Sequence, residues 1–545
     1  MWMRSTAAAL LFLTAGGFSS EIQAQQSAET AALLQRLEQA ESEIRELRST
    51  VARPTAGRSE TYRPESSGLY GVAFLDDESP IEGGTADPFA EKLMTLSEQQ
   101  EALGKSQDDL KKLQDELKKS QKETADGLKD LSGKFKKGFV LPGHSNGTLQ
   151  LNGRIHGDYW AFPNTDAGSD AFEHPLAPGV SVQDRFQWRR VRFGVKGDIN
   201  DHMTYKIEME FADPGSTQYR DVFVGFTNIP GVQTLLIGNQ KRPYGLDHLN
   251  SSRYNVFLER PFIVEAFNQD ARRLGACVYG TSEDEVYNWR YGVYNMELTQ
   301  NDAGYTGDSY QLELAGRLAT TYWYDETSGG RGYGHFALAG TIARPDGDRG
   351  EVIDPGPPSV RTHENEARFR TRPEARTDSR WLDTGRIAGA DWYEIIATES
   401  VLNIGEIHLV SELQHLYMQR EGEDLHFWGG YVHAAYFLTG EHMPWERSDG
   451  TLGRIKPFEN FFMVDDGGGW GAWQIAARYS YADLTNKDIA GGIGQSGTLG
   501  LNWYWNQNAR LQFNYTHGYI SNHAPVAGNT SGHYDIIGTR FSVDF

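Results

Sequence analysis

The sequence predicts an all-β transmembrane fold: a closed antiparallel β-barrel of about 16 strands, preceded by N-terminal α-helical coiled-coil segments. Three observations carry that reading. Residues 534–545 alternate, with Ile537, Phe541, Val543 and Phe545 on one face and Tyr534, Ile536, Gly538, Arg540, Ser542 and Asp544 on the other. Similar alternation recurs through the roughly 400 residues after Pro142, between Gly and Asn turns. The chain also opens on an export signal, so its strands mature outside the cytoplasm.

Composition fits this class and excludes others. Hydrophobic residues make up 39% of the 545, and no apolar run reaches the ~18 residues a spanning helix needs. Lumen-facing positions of a barrel are polar and dilute the apolar signal. The 60 Gly suit tight turns, and the 13 Trp and 26 Tyr suit interfacial girdles. A single cysteine, Cys277, excludes an intrachain disulfide framework. A formal charge of −22 argues against nucleic acid as a partner, because the phosphate backbone is repelled.

In chain order, 1–24 reads as a signal peptide, with Arg4 as its basic start and Ala24 at the cut. Residues 28–51 carry a short heptad seam, Leu33, Leu37, Ala40, Ile44 and Leu47. Residues 52–88 gather Pro, Gly, Ser and acids and read as a flexible linker. Heptads resume over 89–137, where Leu96, Leu103, Leu110, Leu117, Thr124 and Leu131 recur every seventh residue and Lys111, Lys112, Lys118 and Lys119 lie outside the seam. An isolated helix would leave that leucine stripe wet, so the segment reads as an oligomeric periplasmic stalk with an assembly role, peptidoglycan being one candidate partner.

The barrel domain spans 146–545. Tyr205, Ile207, Met209 and Phe211 oppose Thr204, Lys206, Glu208 and Glu210. Tyr310, Leu312, Leu314 and Leu318 oppose Gln311, Glu313 and Arg317; Trp473, Ile475, Ala477, Tyr479 and Tyr481 oppose Gln474, Arg478 and Ser480. Glu208 and Glu210 would be costly in a sandwich core, and cost little beside lumenal water. The apolar faces belong to outer-membrane lipid.

Several stretches of this domain resemble the phosphate-selective porin O and P family: RFQWRRVRFGVKGDI (185–199), IGNQKRPYGLDHLNSSRYNVFLERP (237–261), GGYVHAAYFLTGEHMPWERSDGTLGRIKP (429–457), GAWQIAARYSYADL (471–484) and GTRFSVDF (538–545). They keep their order over most of the barrel domain. The resemblance implies a sixteen-stranded outer-membrane channel, usually a homotrimer, with inward-folded loops that narrow the pore. It also implies that Phe545 is read by the barrel-assembly machinery.

A channel of this kind performs no bond chemistry; anion preference requires Arg or Lys in confined water. Arg190 and Arg192 fall opposite Val191, Phe193 and Val195 and so face the lumen, while Arg189 takes the lipid-side register and must snorkel unless a bulge rotates it. The family's double-Arg motif carries a pore role to Arg190; pairing with Glu208, Glu210 or Asp221 is the structural alternative. Lys241 and Arg242 precede Pro243 near a strand end, either on a constricting loop or on a solvated one. Arg368, Arg370 and Arg372 share parity, followed by Arg376, Arg380 and Arg386; an extended chain sets the first three in a row at roughly 6.5–7 Å. The row resembles the family's arginine ladder, with a loop neutralised by Glu364, Glu366 and Glu374 as the alternative.

Against anion preference stands bulk charge. Of the 52 Lys+Arg and 74 Asp+Glu, 18 and 23 lie in the first 150 residues, leaving 34 basic and 51 acidic side chains in the barrel. Distant charge is screened beyond about 8–10 Å, so a local basic ring can still decide. The expected function is passive diffusion of small anions, phosphate or polyphosphate among them. The alternatives are a general or cation-preferring porin and an envelope-tethering barrel. The 15 His are scattered, and neither a metal site, a cofactor nor a catalytic motif is expected.

Overall fold

In the computed structural model, the described residues are 111–112, 118–119, 139–140, 147–177, 179–212, 217–268, 271–296, 311–345, 367–464 and 468–545. The chain divides into two units, 1–136 and 137–545. In the first, Lys111, Lys112, Lys118 and Lys119 are helical and exposed. The signal peptide, the linker and the heptad seams otherwise lie outside the described residues.

The second unit is built from sixteen long antiparallel strands: β1 Thr148–Thr165, β2 Arg185–Ile199, β3 Met203–Glu210, β4 Gln218–Ile229, β5 Gln233–Lys241, β6 Arg272–Thr281, β7 Tyr287–Asn295, β8 Leu312–Tyr324, β9 Gly332–Ala343, β10 Ala390–Ile404, β11 Ile407–Arg420, β12 Leu425–Phe437, β13 Ala472–Asn486, β14 Ile489–Tyr504, β15 Ala509–His523 and β16 Gly532–Asp544. Each pairs with the next, and β16 pairs back with β1 through Arg154↔Asp544, Ile155↔Val543 and their successors. The sheet therefore closes with no free edge, the condition for strands to cross lipid.

One end carries mostly short turns. At 405–406 Gly405 takes a φ of 57°, the left-handed geometry that a two-residue hairpin turn requires. The other end carries the longer connections 166–184, 242–271, 296–311 and 344–389. Short turns face the periplasm and long loops the exterior. The outward faces are those the alternation predicts: Ile207, Phe211, Leu312, Leu314, Leu318, Ile475, Tyr479, Ile537 and Phe541 are exposed on the wall, while Glu208, Glu210, Glu313, Arg317, Gln474, Arg478 and Arg540 point inward and are buried.

That burial differs from the expected wet lumen, because loops fill it. A first short helix, α1, spans Ala167–Glu173, and residues 242–271 fold inward as an inner loop holding two more, α2 Leu246–Leu249 and α3 Phe262–Phe267. Pro261 opens α3, and Phe262, Ile263, Val264, Ala266 and Phe267 are all buried among inward apolar residues such as Phe369, Trp381, Tyr393 and Phe427. The inner wall of β10–β12 is apolar where it seats this loop. Backbone carbonyls in so irregular a segment need donors, and the wall supplies them. Arg510 Nη1 donates to Asn255 O (3.0 Å), Asn502 Nδ2 to Val256 O (2.9 Å) and Arg478 Nη1 to Glu259 O (3.0 Å). From the periplasmic end, the first half of the connection 438–471 also enters. Tyr333 Oη donates to Met443 O (3.0 Å), Trp445 Nε1 to Thr321 Oγ1 (3.0 Å) and Leu452 N to Asn250 Oδ1 (3.0 Å), and Arg454 pairs with Asp544.

Candidate functional site: an arginine chamber in the lumen

With the inner loop seated on β10–β12 by apolar packing and on β13–β16 by polar side chains, open space remains against β2–β6. There the inner loop and the segment 372–380 enclose a chamber of about 320 Å³. Its walls carry nine arginines and three carboxylates, Glu210, Glu259 and Glu265.

Strand β2 supplies Arg189, Arg190 and Arg192. Both Arg189 and Arg190 face inward because the β1–β2 register slips between His156↔Arg190 and Gly157↔Trp188. This bulge leaves Arg189 as the extra residue and turns it from the lipid side to the lumen. Phe186 and Trp188 before it and Phe193 after it remain outside. Arg189 forks onto Glu259 of the inner loop, at 2.7 and 2.9 Å. Burial would raise the Glu259 carboxyl, but the Arg189, Arg540 and Arg190 guanidiniums hold it well below the usual carboxylate range. Arg192 pairs with Glu210 (2.6 Å) and Glu208 (3.2 Å). Glu208, 1% exposed, also meets Arg154 at 3.0 Å. Ion pairs therefore satisfy the two β3 carboxylates.

Arg190 is different. Its nearest polar partner is His156 Nδ1 at 3.4 Å, and its buried Nε has none. Arg220 of β4 donates to Gln218 (2.6 Å), also with an unpartnered Nε. Arg376, on the segment 372–380, has neither hydrogen bond nor ion pair among the described residues; the charge of Arg189 and then burial push its pKa down to about 10. A cation so placed is electrostatically stressed and gains when an anion arrives.

The other sequence-predicted residues divide. Arg372 lines the chamber and pairs with Glu265 (3.0 Å), the one polar side chain of α3. Arg368, Arg370 and Arg372 lie half-buried on one side of the segment, with Ala367, Phe369 and Thr371 buried on the other; Arg368 forks onto Asp383 at 2.8 and 2.5 Å. Lys241 and Arg242 do not line the chamber. Lys241 Nζ donates to the carbonyls of His248, Leu249 and Asn250 at 2.8, 2.8 and 2.9 Å, which closes the end of α2. Arg242, 2% exposed, pairs with Glu313 at 2.8 Å. Sequence reading missed Arg220, Arg260 and Arg272, and with them Glu259 and Glu265. Arg220 and Arg272 share parity with the outward Val224 and Leu274, so alternation gives no inward signal for either; Arg260, Glu259 and Glu265 arrive through a loop fold that periodicity does not show.

Residues 149–545 match the family described as phosphate-selective porin O and P. The chain belongs to that family. It is accordingly an outer-membrane porin, a barrel with a channel through it. An uncharacterised protein of Caulobacter vibrioides is 26% identical to the porin over 412 residues, 73% of this chain and 74% of that one. Among solved structures, a loop L8 deletion mutant of OmpT, an outer membrane protein of Vibrio cholerae, is 13% identical with a TM-score of 0.43, over 73% of this chain and 99% of its own. The outer membrane channel DcaP of Acinetobacter baumannii is 11% identical with a TM-score of 0.43, over 75% and 99%.

Proposed function

We propose that the porin passes small anions, phosphate or polyphosphate among them, through the arginine chamber. The supporting observation is the local imbalance, among the described residues, of nine guanidiniums against three carboxylates, with Arg190, Arg220 and Arg376 lacking a carboxylate partner there. A planar guanidinium can hold two oxygens of one phosphate and so replace part of its hydration shell. Glu210, Glu259 and Glu265 temper the attraction, and conduction needs that: a permeant held too tightly does not leave. Of the barrel's acidic excess, charge farther than about 8–10 Å from the chamber is screened from it. That excess does favour a second reading, a cation-preferring porin. The porin works as a homotrimer in this account, Phe545 serves its insertion by the assembly machinery, and the N-terminal segments form a periplasmic stalk.

The test is competition in a planar bilayer. With chloride carrying the current, added phosphate lowers single-channel conductance in a saturable way. Chloride currents indifferent to phosphate would overturn phosphate as a permeant.

A further inference from the structure

The connection 438–471 is long for its end of the barrel and has two halves. The first lies in the lumen. Beyond Arg454 and the buried Ile455 the chain crosses the periplasmic rim, where Lys456 and Phe458 are exposed. It then lies against the outer wall. Phe461 N donates to Trp505 O (2.7 Å), and Trp503 Nε1 donates to Trp470 O (2.7 Å). The buried Phe461 ring lies 4.8 Å from Trp503 and 6.2 Å from Trp505. Trp505 meets Phe541 of β16 at 5.5 Å, and Trp503 stacks on Trp473 of β13 at 4.9 Å. One aromatic layer thus joins the loop to the lipid-facing ends of β13, β14 and β16. On its free side Phe458 is 67% exposed, Phe462 51%, Met463 73% and Trp470 69%.

Left in water, such a patch is unfavourable at about 25 cal/mol per Å² of apolar surface. We propose that residues 456–464 and 468–470 form an interfacial anchor whose partner is the phospholipid of the inner leaflet. Continuity identifies the occupant: the patch extends the lipid-facing band without a break, so the lipid that covers Trp473, Trp503 and Phe541 covers it too. The aromatic content agrees, since Phe458, Phe461, Phe462 and Trp470 match segments that sit at the headgroup–acyl boundary, with the charged Lys456 and Glu459 on the headgroup side. The lumenal half of the same connection forms a small hairpin, Trp445–Glu446 against Thr451–Leu452, which the anchor ties to the bilayer.

The experiment uses the full-length porin with Cys277→Ala and either Met463→Cys or Phe458→Cys, nitroxide-labelled in phosphatidylethanolamine–phosphatidylglycerol vesicles. Oxygen concentrates in the bilayer, whereas a nickel chelate stays in water. The anchor predicts labels severalfold more accessible to oxygen than to the chelate. The reverse order would overturn it, as would label–label broadening with both collisions suppressed, the mark of a second copy covering the patch. Should the labelled variants fail to fold, phospholipid brominated near the headgroup gives the second reading in otherwise native porin. Trp470→Phe then removes part of the fluorescence quenching, and unchanged quenching overturns the anchor.

Discussion

Arg190 and Arg192 stand two residues apart on one strand and do different work. Arg192 neutralises Glu208 and Glu210; removing it leaves those two buried carboxylates with fewer partners. Arg192→Ala should therefore destabilise the barrel by about 3–5 kcal/mol, read from urea unfolding in detergent. Arg190 satisfies no carboxylate, so Arg190→Ala should leave the unfolding midpoint close to wild type and lower the anion-to-cation permeability ratio. An unchanged ratio would remove Arg190 from the filter. Arg376→Gln should act in the same direction as Arg190→Ala. Period-2 parity sufficed to place Arg190 and Arg192 in the lumen. It failed for Arg189, because the bulge is a backbone event with no mark in the alternation. It also could not tell Arg190 from Arg192, since partners are set by cross-strand register.

At the scale of elements, the inner loop decides where the pore runs. It has little secondary structure of its own and stays in place because wall side chains bond its backbone. Glu412 of β11 is central: its carboxylate accepts from Leu246 N (3.1 Å) and Asp247 N (2.6 Å) and from Tyr431 Oη (2.6 Å). Glu412→Ala should free the start of α2, raise single-channel conductance and add open-channel noise, whereas Glu412→Gln should retain part of the hold. Currents identical to wild type in both variants would show the loop needs no such anchor. The sixteen strands were legible because lipid outside and polar groups inside impose alternation. The loop was not legible, for its partners lie far off in sequence: Arg242 meets Glu313, and Glu259 meets Arg189, 71 and 70 residues apart. Hence Lys241 and Arg242, which resemble filter residues when read singly, turn out to be braces for the loop.

For the whole molecule, the barrel's overall charge and its chamber have opposite signs. The outer wall, the closure of β1 on β16 and the family match at 149–545 make it a porin. Which ions it prefers depends on whether the local arginines outweigh an acidic envelope across screening distances. Raising ionic strength should weaken the remote acids more than the enclosed arginines, so anion preference should persist at high salt. The most direct measurement is the reversal potential of the reconstituted porin in a potassium chloride gradient. The arginine chamber predicts the sign for chloride more permeant than potassium; a potential of the opposite sign, or none, would contradict it.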